Sequence, residues 1–403
     1  MDKRSIFIAI HYLELGGAEI SLIGLLQSLD YSKYDVDLFV YSHRGELMDF
    51  IPPQVNLLPE KGGYPYIETH IWDTLKKGYA GLAVRRLLAK IRYASYKKKH
   101  PSSDDHPLHF IIADTILPSL PRIGRKEGYD LAISYLQPHN IVLEKVKARK
   151  KACWIHTDYA NVGVDPALEL DVWNGYDHIV SISEAVTASF LKAFPSLENK
   201  IVLMKNILPS EFVRRRASDC DMEEVERQMP KRNGAFNFLS VGRFCYAKNY
   251  DNIPDICRRI LDKGVQVFWY LIGYGSDEEL IKEKIRESNV SENVIILGKK
   301  SNPYPYMEAC DVYVQPSRYE GNSVTVREAQ MLGKTVVITD YPTSSSQVRD
   351  GEDGFIVPSD NEGCADAIIS LLSDPLRING IRARIKDMDF SNKVEVEVLD
   401  KLF

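Results

Sequence analysis

The sequence predicts an α/β chain of two doubly wound, parallel-sheet domains. Three observations carry this. The chain opens with a strand, a glycine turn, a helix and a second strand; the same unit restarts in the second half; and 403 residues is room for two domains of roughly 100–200 residues each.

The opening unit reads in order. Ile6 to Ile10 is a short apolar run, Leu15-Gly16-Gly17-Ala18-Glu19 a turn, Ile20 to Leu29 a helix with one apolar face, and Val36 to Tyr41 the next strand. A parallel sheet covered by helices needs this alternation. Further strands are expected at His109–Ala113, Leu131–Tyr135, Lys151–Ile155, His178–Ser181 and Ile201–Met204. The unit restarts with a strand at Phe236–Val241, a turn at Gly242-Arg243-Phe244 and a helix over Asn252–Lys263. Strands follow at Val267–Ile272, Asn293–Leu297, Val312–Gln315, Thr335–Thr339 and Phe355–Val357. The expected division is residues 1–205 for the first domain, 206–383 for the second, and a closing helix over 384–403 that returns toward the first.

Composition narrows the function classes. A formal charge of -5 over 403 residues does not make the whole molecule a polyanion binder, so no nucleic-acid partner is expected. Cys153, Cys220, Cys245, Cys257, Cys310 and Cys364 are scattered and form no Cys-x-x-Cys pair, which suggests neither a zinc site nor a disulfide framework and fits a reducing, cytoplasmic setting. The short apolar run after Met1-Asp2-Lys3-Arg4 reads as a first strand rather than a leader. No stretch approaches the ~20 apolar residues of a membrane helix, so the expectation is a soluble protein or one peripheral on the inner face of a membrane. Residues Trp72 to Lys99 hold Lys76, Lys77, Arg85, Arg86, Lys90, Arg92, Lys97, Lys98 and Lys99 against the single acid Asp73. Such a segment reads either as a solvated helical face or as a basic amphipathic surface for anionic lipid.

The strongest chemical signal is Arg318-Tyr319-Glu320-Gly321-Asn322-Ser323-Val324-Thr325-Val326-Arg327-Glu328-Ala329, directly after an expected strand. Open α/β sheets bind ligands at the carboxyl ends of their strands. Glu320 is expected to point into that space, with Glu328, two helical turns on, reaching the same side. The amides of Gly321, Asn322, Ser323 and Val324 are expected to be free helix-start donors suited to a phosphate. A second signal is Gly242-Arg243 with Lys248 five residues on, two cations placed for a diphosphate that no divalent metal neutralises. The third, Gly273-Tyr274-Gly275, allows close backbone approach at a strand end. Three Asp-x-Asp triplets, Asp35-Val36-Asp37, Asp219-Cys220-Asp221 and Asp387-Met388-Asp389, are read as unrelated to metal.

On these residues the chain resembles glycosyltransferase family 4, of the GT-B fold. The resemblance rests on Glu320 to Glu328 as a Glu-x7-Glu motif, on Gly242, Arg243 and Lys248, on Gly16-Gly17-Ala18-Glu19, and on Gly351-Glu352-Asp353-Gly354-Phe355-Ile356-Val357. It is dense over Phe236–Leu372 and thin between Tyr41 and Leu131. It implies two Rossmann-like domains facing across a cleft, transfer of a sugar from a nucleotide-diphosphate sugar (a UDP-sugar) with retained configuration, and no metal or other cofactor. Arg243 and Lys248 then hold the diphosphate and stabilise it as it leaves. Glu320 takes donor-sugar hydroxyls, Glu328 the ribose hydroxyls, and Gly16 and Gly17 let backbone approach the diphosphate. His156, after the strand Lys151–Ile155, is placed beside the reacting sugar. The acceptor implied is a glycan or lipid-linked glycan in cell-surface polysaccharide synthesis. Asn322-Ser323 stand where many members carry an apolar pair, which leaves the donor sugar open. A nucleotide-sugar 2-epimerase of the same fold, a pyridoxal-phosphate phosphorylase and a non-enzymatic sugar-binding protein are the alternative readings.

Overall fold

The computed structural model describes residues 3–14, 16–100, 106–157, 159, 162–219, 221–320 and 323–403. Two compact units result, one of Met1–Pro209 with Asn392–Phe403, the other of Ser210–Ser391.

The sheet of the first unit is built, among the described residues, from β1 (Arg4–Ile10), β2 (Tyr34–Val40), β3 (Asn56–Leu57), β4 (Tyr129–Ser134), β5 (Ala148–Ile155), β6 (His178–Ser181) and β7 (Ile201–Leu203), in the order β3-β2-β1-β4-β5-β6-β7. Every pair is parallel. Ile6 to Ile10 are all buried, as a strand covered by helices on both faces requires. Two apolar clusters line the sheet. One gathers around Phe7, Phe39, Tyr64 and Tyr129, the other around Tyr159, Trp173, Phe190 and Phe194. Each such fully buried large side chain contributes about 1.5–3 kcal/mol.

The expected strand at His109–Ala113 is instead part of the helix His106–Ile116. Its buried residues Phe110, Ile111, Ala113 and Ile116 are near-continuous in sequence, and a short apolar run of this kind has no period that separates strand from buried helix. The short β3 was not anticipated. Near the chain's end, Lys393–Leu402 forms a 3₁₀ helix. It is tied to its own unit by Arg4–Asp400 (3.0 Å), by the Tyr34 hydroxyl on Asp400 (2.8 Å) and by Phe403 stacked on Tyr34.

The sheet of the second unit comprises β8 (Ala235–Val241), β9 (Gln266–Ile272), β10 (Val294–Gly298), β11 (Val312–Gln315), β12 (Thr335–Thr339) and β13 (Phe355–Val357), all parallel, in the order β10-β9-β8-β11-β12-β13. The strand order reverses between β8 and β11, which opens the crevice where doubly wound sheets receive ligands. The helix Ile253–Asp262 covers one face with Ile253, Ile256, Cys257 and Ile260, an i, i+3, i+4, i+7 set. Gly264, at φ +86°, follows it, a conformation without steric cost only for glycine.

Candidate donor site

The switch point between β8 and β11 brings together the sequence signals of the second unit. β11 continues outward from Gln315, and alternate residues along it form a hydrogen-bonded chain. The Tyr313 hydroxyl donates to Gln315 Oε1 (3.0 Å), Gln315 Nε2 to Ser317 Oγ (3.0 Å), and Ser317 Oγ to Glu320 Oε1 (2.6 Å). The period-two geometry of extended chain puts the Tyr313, Gln315 and Ser317 side chains on one face. Thr343 Oγ1 donates to the Glu320 carbonyl (2.6 Å) from the loop after β12. Glu320 is therefore held at its backbone carbonyl by Thr343 and at its carboxylate through Oε1.

Lys248, in the 3₁₀ turn Tyr246–Lys248 after β8, places Nζ 2.6 Å from the same Glu320 Oε1. The side chains are only 20% and 11% exposed, so water screens this pair much less than a surface ion pair. Arg243 is exposed, and no acid pairs with it among the described residues. One free cation and one cation bound to a carboxylate thus flank the end of β8.

Two residues that sequence reasoning passed over fix this arrangement. Arg318 grips Asp251 with two parallel bonds (Nη1–Oδ1 2.9 Å, Nη2–Oδ2 2.7 Å), donates to the Tyr246 carbonyl (2.7 Å) and lies over the Tyr246 ring. The Arg318 amide also donates to the Ala247 carbonyl (2.8 Å). The loop carrying Lys248 is thereby clamped to the loop carrying Glu320. The available signal was opposite charge beside each functional residue, Asp251 three places after Lys248 and Arg318 two before Glu320.

The glycines act through backbone packing. A Cβ on Gly273 would stand 1.9 Å from the Gly242 carbonyl oxygen, and one on Gly275 would stand 2.1 Å from that of Phe244. The loops after β8 and β9 lie backbone to backbone, joined by Gly242 N–Ile272 O (3.0 Å) and Phe244 N–Tyr274 O (2.9 Å). The close approach expected at Gly273 and Gly275 is made to another loop. At Gly242 the nearest atoms are Tyr250 Oη at 2.9 Å and the Lys248 stem at 3.4 Å.

Glu328 sits in the helix Val324–Met331, buried, and accepts a hydrogen bond from the Tyr304 hydroxyl (2.8 Å). Burial pushes its carboxyl up to about 7, opposed by the Tyr304 bond. The expected row of free amides requires correction. The Ser323 amide donates to Gln347 Oε1 (2.8 Å), and Gln347 Nε2 returns a bond to the Ser323 carbonyl (3.2 Å). A buried amide must find a partner, and the helix Ser344–Gln347 supplies it. Val324 opens its helix as expected; Gly321 and Asn322 lie outside the described residues.

In the first unit, Gly16 is the N-cap of the helix Gly17–Ser28. A Cβ there would meet Glu19 Oε2 at 2.2 Å, while Gly17 faces open space. The helix start is thus covered at Gly16 by the protein's own carboxylate and left open at Gly17. His156 follows β5. Its Nε2 is buried with no hydrogen-bond partner among the described residues, and its ring packs 4.9 Å from Tyr135. Burial lowers its pKa to about 4 against a hydrogen bond with the Tyr135 backbone, so the ring is neutral at pH 7. Sequence reasoning missed His11, whose Nδ1 lies 2.7 Å from Glu68 Oε1 just past β1.

At least one member of each Asp-x-Asp triplet has a structural partner. Asp37 accepts from Arg125, Tyr129 and Asn56, Asp221 caps the helix Met222–Gln228, and Asp389 accepts from Ser391.

Comparison with known proteins fits this geometry. Residues 221–388 match the family model described as glycosyl transferases group 1. The chain is 31% identical over 125 residues to the N-acetylgalactosamine-N,N'-diacetylbacillosaminyl-diphospho-undecaprenol 4-alpha-N-acetylgalactosaminyltransferase of Campylobacter jejuni, covering 31% of this chain and 33% of that protein. It is 24% identical over 163 residues to the poly(ribitol-phosphate) alpha-N-acetylglucosaminyltransferase of Staphylococcus aureus, covering 40% of this chain and 31% of that protein. These matches span about a third of the relatives' length. Likeness in three dimensions extends over nearly all of the chain. Anabaena Alr3699/HepE, solved in complex with UDP and glucose, superposes with a TM-score of 0.60 over 99% of this chain and 100% of that one at 15% identity. With two parallel doubly wound sheets in hand, that likeness shows that the chain has the GT-B fold.

Proposed function

We propose that the protein is a retaining, metal-independent glycosyltransferase. It moves a sugar from a nucleotide-diphosphate sugar, a UDP-sugar, to a glycan or lipid-linked glycan acceptor in cell-surface polysaccharide synthesis. The observation that carries the reading is the Lys248–Glu320 pair at the β8/β11 switch point, beside the free Arg243. A mere sugar binder has no need of cations at a leaving group, whereas glycosyl transfer builds negative charge there.

The chemistry follows from these groups. Arg243 and the two remaining N–H bonds of Lys248 receive the donor diphosphate. Glu320, already oriented by Ser317 and Lys248, accepts hydrogen bonds from donor-sugar hydroxyls. Ionised Glu328 accepts from the ribose hydroxyls. The bond from the anomeric carbon to the diphosphate oxygen breaks as the acceptor oxygen bonds to that carbon on the same face. The acceptor's proton passes to the departing phosphate, and neutral His156 donates or accepts a hydrogen bond at the sugar. The names of the relatives above support a nucleotide-sugar donor and a polymeric or lipid-linked acceptor. The protein works in the cytoplasm, peripheral on an anionic membrane surface.

The test is product detection by mass spectrometry. The purified chain is incubated with a panel of nucleotide sugars and with oligosaccharide and lipid-linked glycan acceptors, with and without chelator. A new glycosidic product that survives chelation, with the donor's anomeric configuration kept, is the expected result. Epimerised donor with no transfer would replace the reading with that of a 2-epimerase.

A further inference from the structure

The helix Ala80–Lys99 of the first unit is covered on one side only. Leu82, Ala83 and Ala89 are buried, and Arg85 and Arg86 turn inward to the carbonyls of Thr115 and Tyr66. Val84, Leu87, Leu88 and Ile91 are 57%, 53%, 47% and 58% exposed. Their i, i+3, i+4, i+7 spacing places them within an arc of roughly 100° on the outer face. A soluble helix normally turns such a stripe to the core. The preceding helix, Ile71–Lys76, adds Trp72 at 66% and Leu75 at 38% exposure.

Cations border this apolar face. Lys90 falls on one edge and Lys99 on the other, Lys98 extends it toward the helix's end, and Lys76 and Lys77 follow Leu75. All five are exposed, and none has an ion-pair partner among the described residues. Arg92 is paired with Asp114 at the surface. Among the described residues no helix is long and apolar enough to cross a membrane; this one has the different pattern of a helix that lies in an interface.

We infer that the outer face of Ile71–Lys76 and Ala80–Lys99 docks in the plane of an anionic lipid bilayer, with Trp72, Leu87, Leu88 and Ile91 entering the headgroup region and Lys76, Lys77, Lys90, Lys98 and Lys99 meeting lipid phosphates. The inference deepens the membrane-partner reading above and rests on it, while its test requires no transfer activity. Charge complementarity selects the occupant. A second copy of this chain would set the same cations against each other, whereas an anionic surface neutralises them and accepts the apolar stripe as well.

Tryptophan fluorescence and vesicle flotation test this on the full chain. Of the four tryptophans, Trp154, Trp173 and Trp269 are buried, so a spectral response to lipid reports Trp72. Vesicles of equal parts phosphatidylcholine and phosphatidylglycerol should carry the protein at low salt, shift its emission to the blue and release it as salt rises. Phosphatidylcholine alone should not. Lys98→Glu with Lys99→Glu should weaken binding by about thirtyfold or more, since each engaged cation accounts for about fivefold. Leu87→Ser with Ile91→Ser should weaken binding without changing the circular dichroism, since both side chains are already in water. Trp72→Phe should abolish the emission shift while flotation persists. Absence of flotation on the anionic vesicles, equal flotation on the neutral ones, or full binding by the Leu87/Ile91 variant would overturn the inference. So would concentration-dependent self-association lost in that variant without vesicle binding, which would assign the face to a second copy. Vesicle binding by a chain that transfers no sugar would keep this inference and remove the enzymatic one.

Discussion

Lys248 Nζ and Ser317 Oγ converge on a single oxygen, Glu320 Oε1, each at 2.6 Å. One oxygen of the carboxylate is thus committed to positioning, and among the described residues nothing occupies Oε2. On the proposed function, Glu320→Gln keeps the shape and loses the charge, so its main effect should fall on turnover, with KM for the donor little changed. Ser317→Ala removes the orienting bond, together with the acceptor for Gln315 Nε2, and should lower kcat less, by about tenfold, consistent with about 1.5 kcal/mol for one hydrogen bond to a charged group. Steady-state kinetics on the two variants checks the order; a larger effect on KM than on kcat for Glu320→Gln would move Glu320 away from the reacting sugar.

Glu328 ties folding and nucleotide binding to pH. Its folded-state carboxyl is raised to about 7 from 4.5 by burial. The protonated form is the one the folded protein prefers. This contribution is fully present below pH 4.5 and is lost as pH rises through about 7, a change on the order of 3 kcal/mol at 1.36 kcal/mol per unit. Thermal unfolding of Glu328→Gln should lack this decline between pH 5 and 8 that the parent shows. Ribose hydroxyls favour the ionised carboxylate, so UDP affinity should rise over the same interval in the parent and stay flat in Glu328→Gln. Calorimetric titration at several pH values reads this directly; parallel curves for the two proteins would detach Glu328 from the nucleotide.

The glycines separate structure from ligand approach. Gly273→Ala brings a methyl to 1.9 Å from the Gly242 carbonyl, which forces the loops after β8 and β9 apart and should cost about 1–3 kcal/mol of stability. Gly17→Ala faces open space at a helix start and should leave stability equal or raise it by a few tenths of a kcal/mol, about the scale of a helix-propensity change. If Gly17 admits a diphosphate to its backbone, donor KM rises in this stable variant. Unaltered donor KM would remove Gly17 from the site.

His156, held down to about 4 by burial, should stay neutral across the working range. Its ring ¹⁵N resonances should not titrate between pH 8 and 5, and in Glu328→Gln the transfer rate should show no limb near the ordinary histidine value of about 6.5. A titration at that value assigned to His156 would show the ring to be solvated and charged on acidification.

Much of this arrangement was legible in sequence because local chemistry marked it. β11, β12 and β13 were bounded at Val312–Gln315, Thr335–Thr339 and Phe355–Val357, each a continuous apolar run closed by turn residues. The same criterion misassigned the helix His106–Ile116, whose apolar run carries no distinguishing period, and passed over Asn56–Leu57, which pairs at only two positions. Within the site, Lys248 and Glu320 were each found by local context, but their contact spans 72 positions and depends on the crossing of β8 with β11. The Arg318–Asp251 clamp, the Ser323–Gln347 bond and the Tyr304–Glu328 bond are likewise products of chain crossing, which residue spacing does not encode. The exposed stripe of Ala80–Lys99 shows the limit from the other side. Its basic amphipathic character was readable, but which face the domain covers was decided by the packing of Leu82, Ala83 and Ala89.

The central claim is that Lys248 supplies, without metal, charge that holds a nucleotide diphosphate. Isothermal titration of the purified protein with UDP in excess chelator tests it most directly. The account predicts saturable binding that chelator leaves unchanged. In Lys248→Ala, affinity falls by about tenfold or more, in line with about 1.5–3 kcal/mol for a charge-assisted hydrogen bond. UDP binding that appears only with added divalent ion, or that is unaltered in Lys248→Ala, would contradict it.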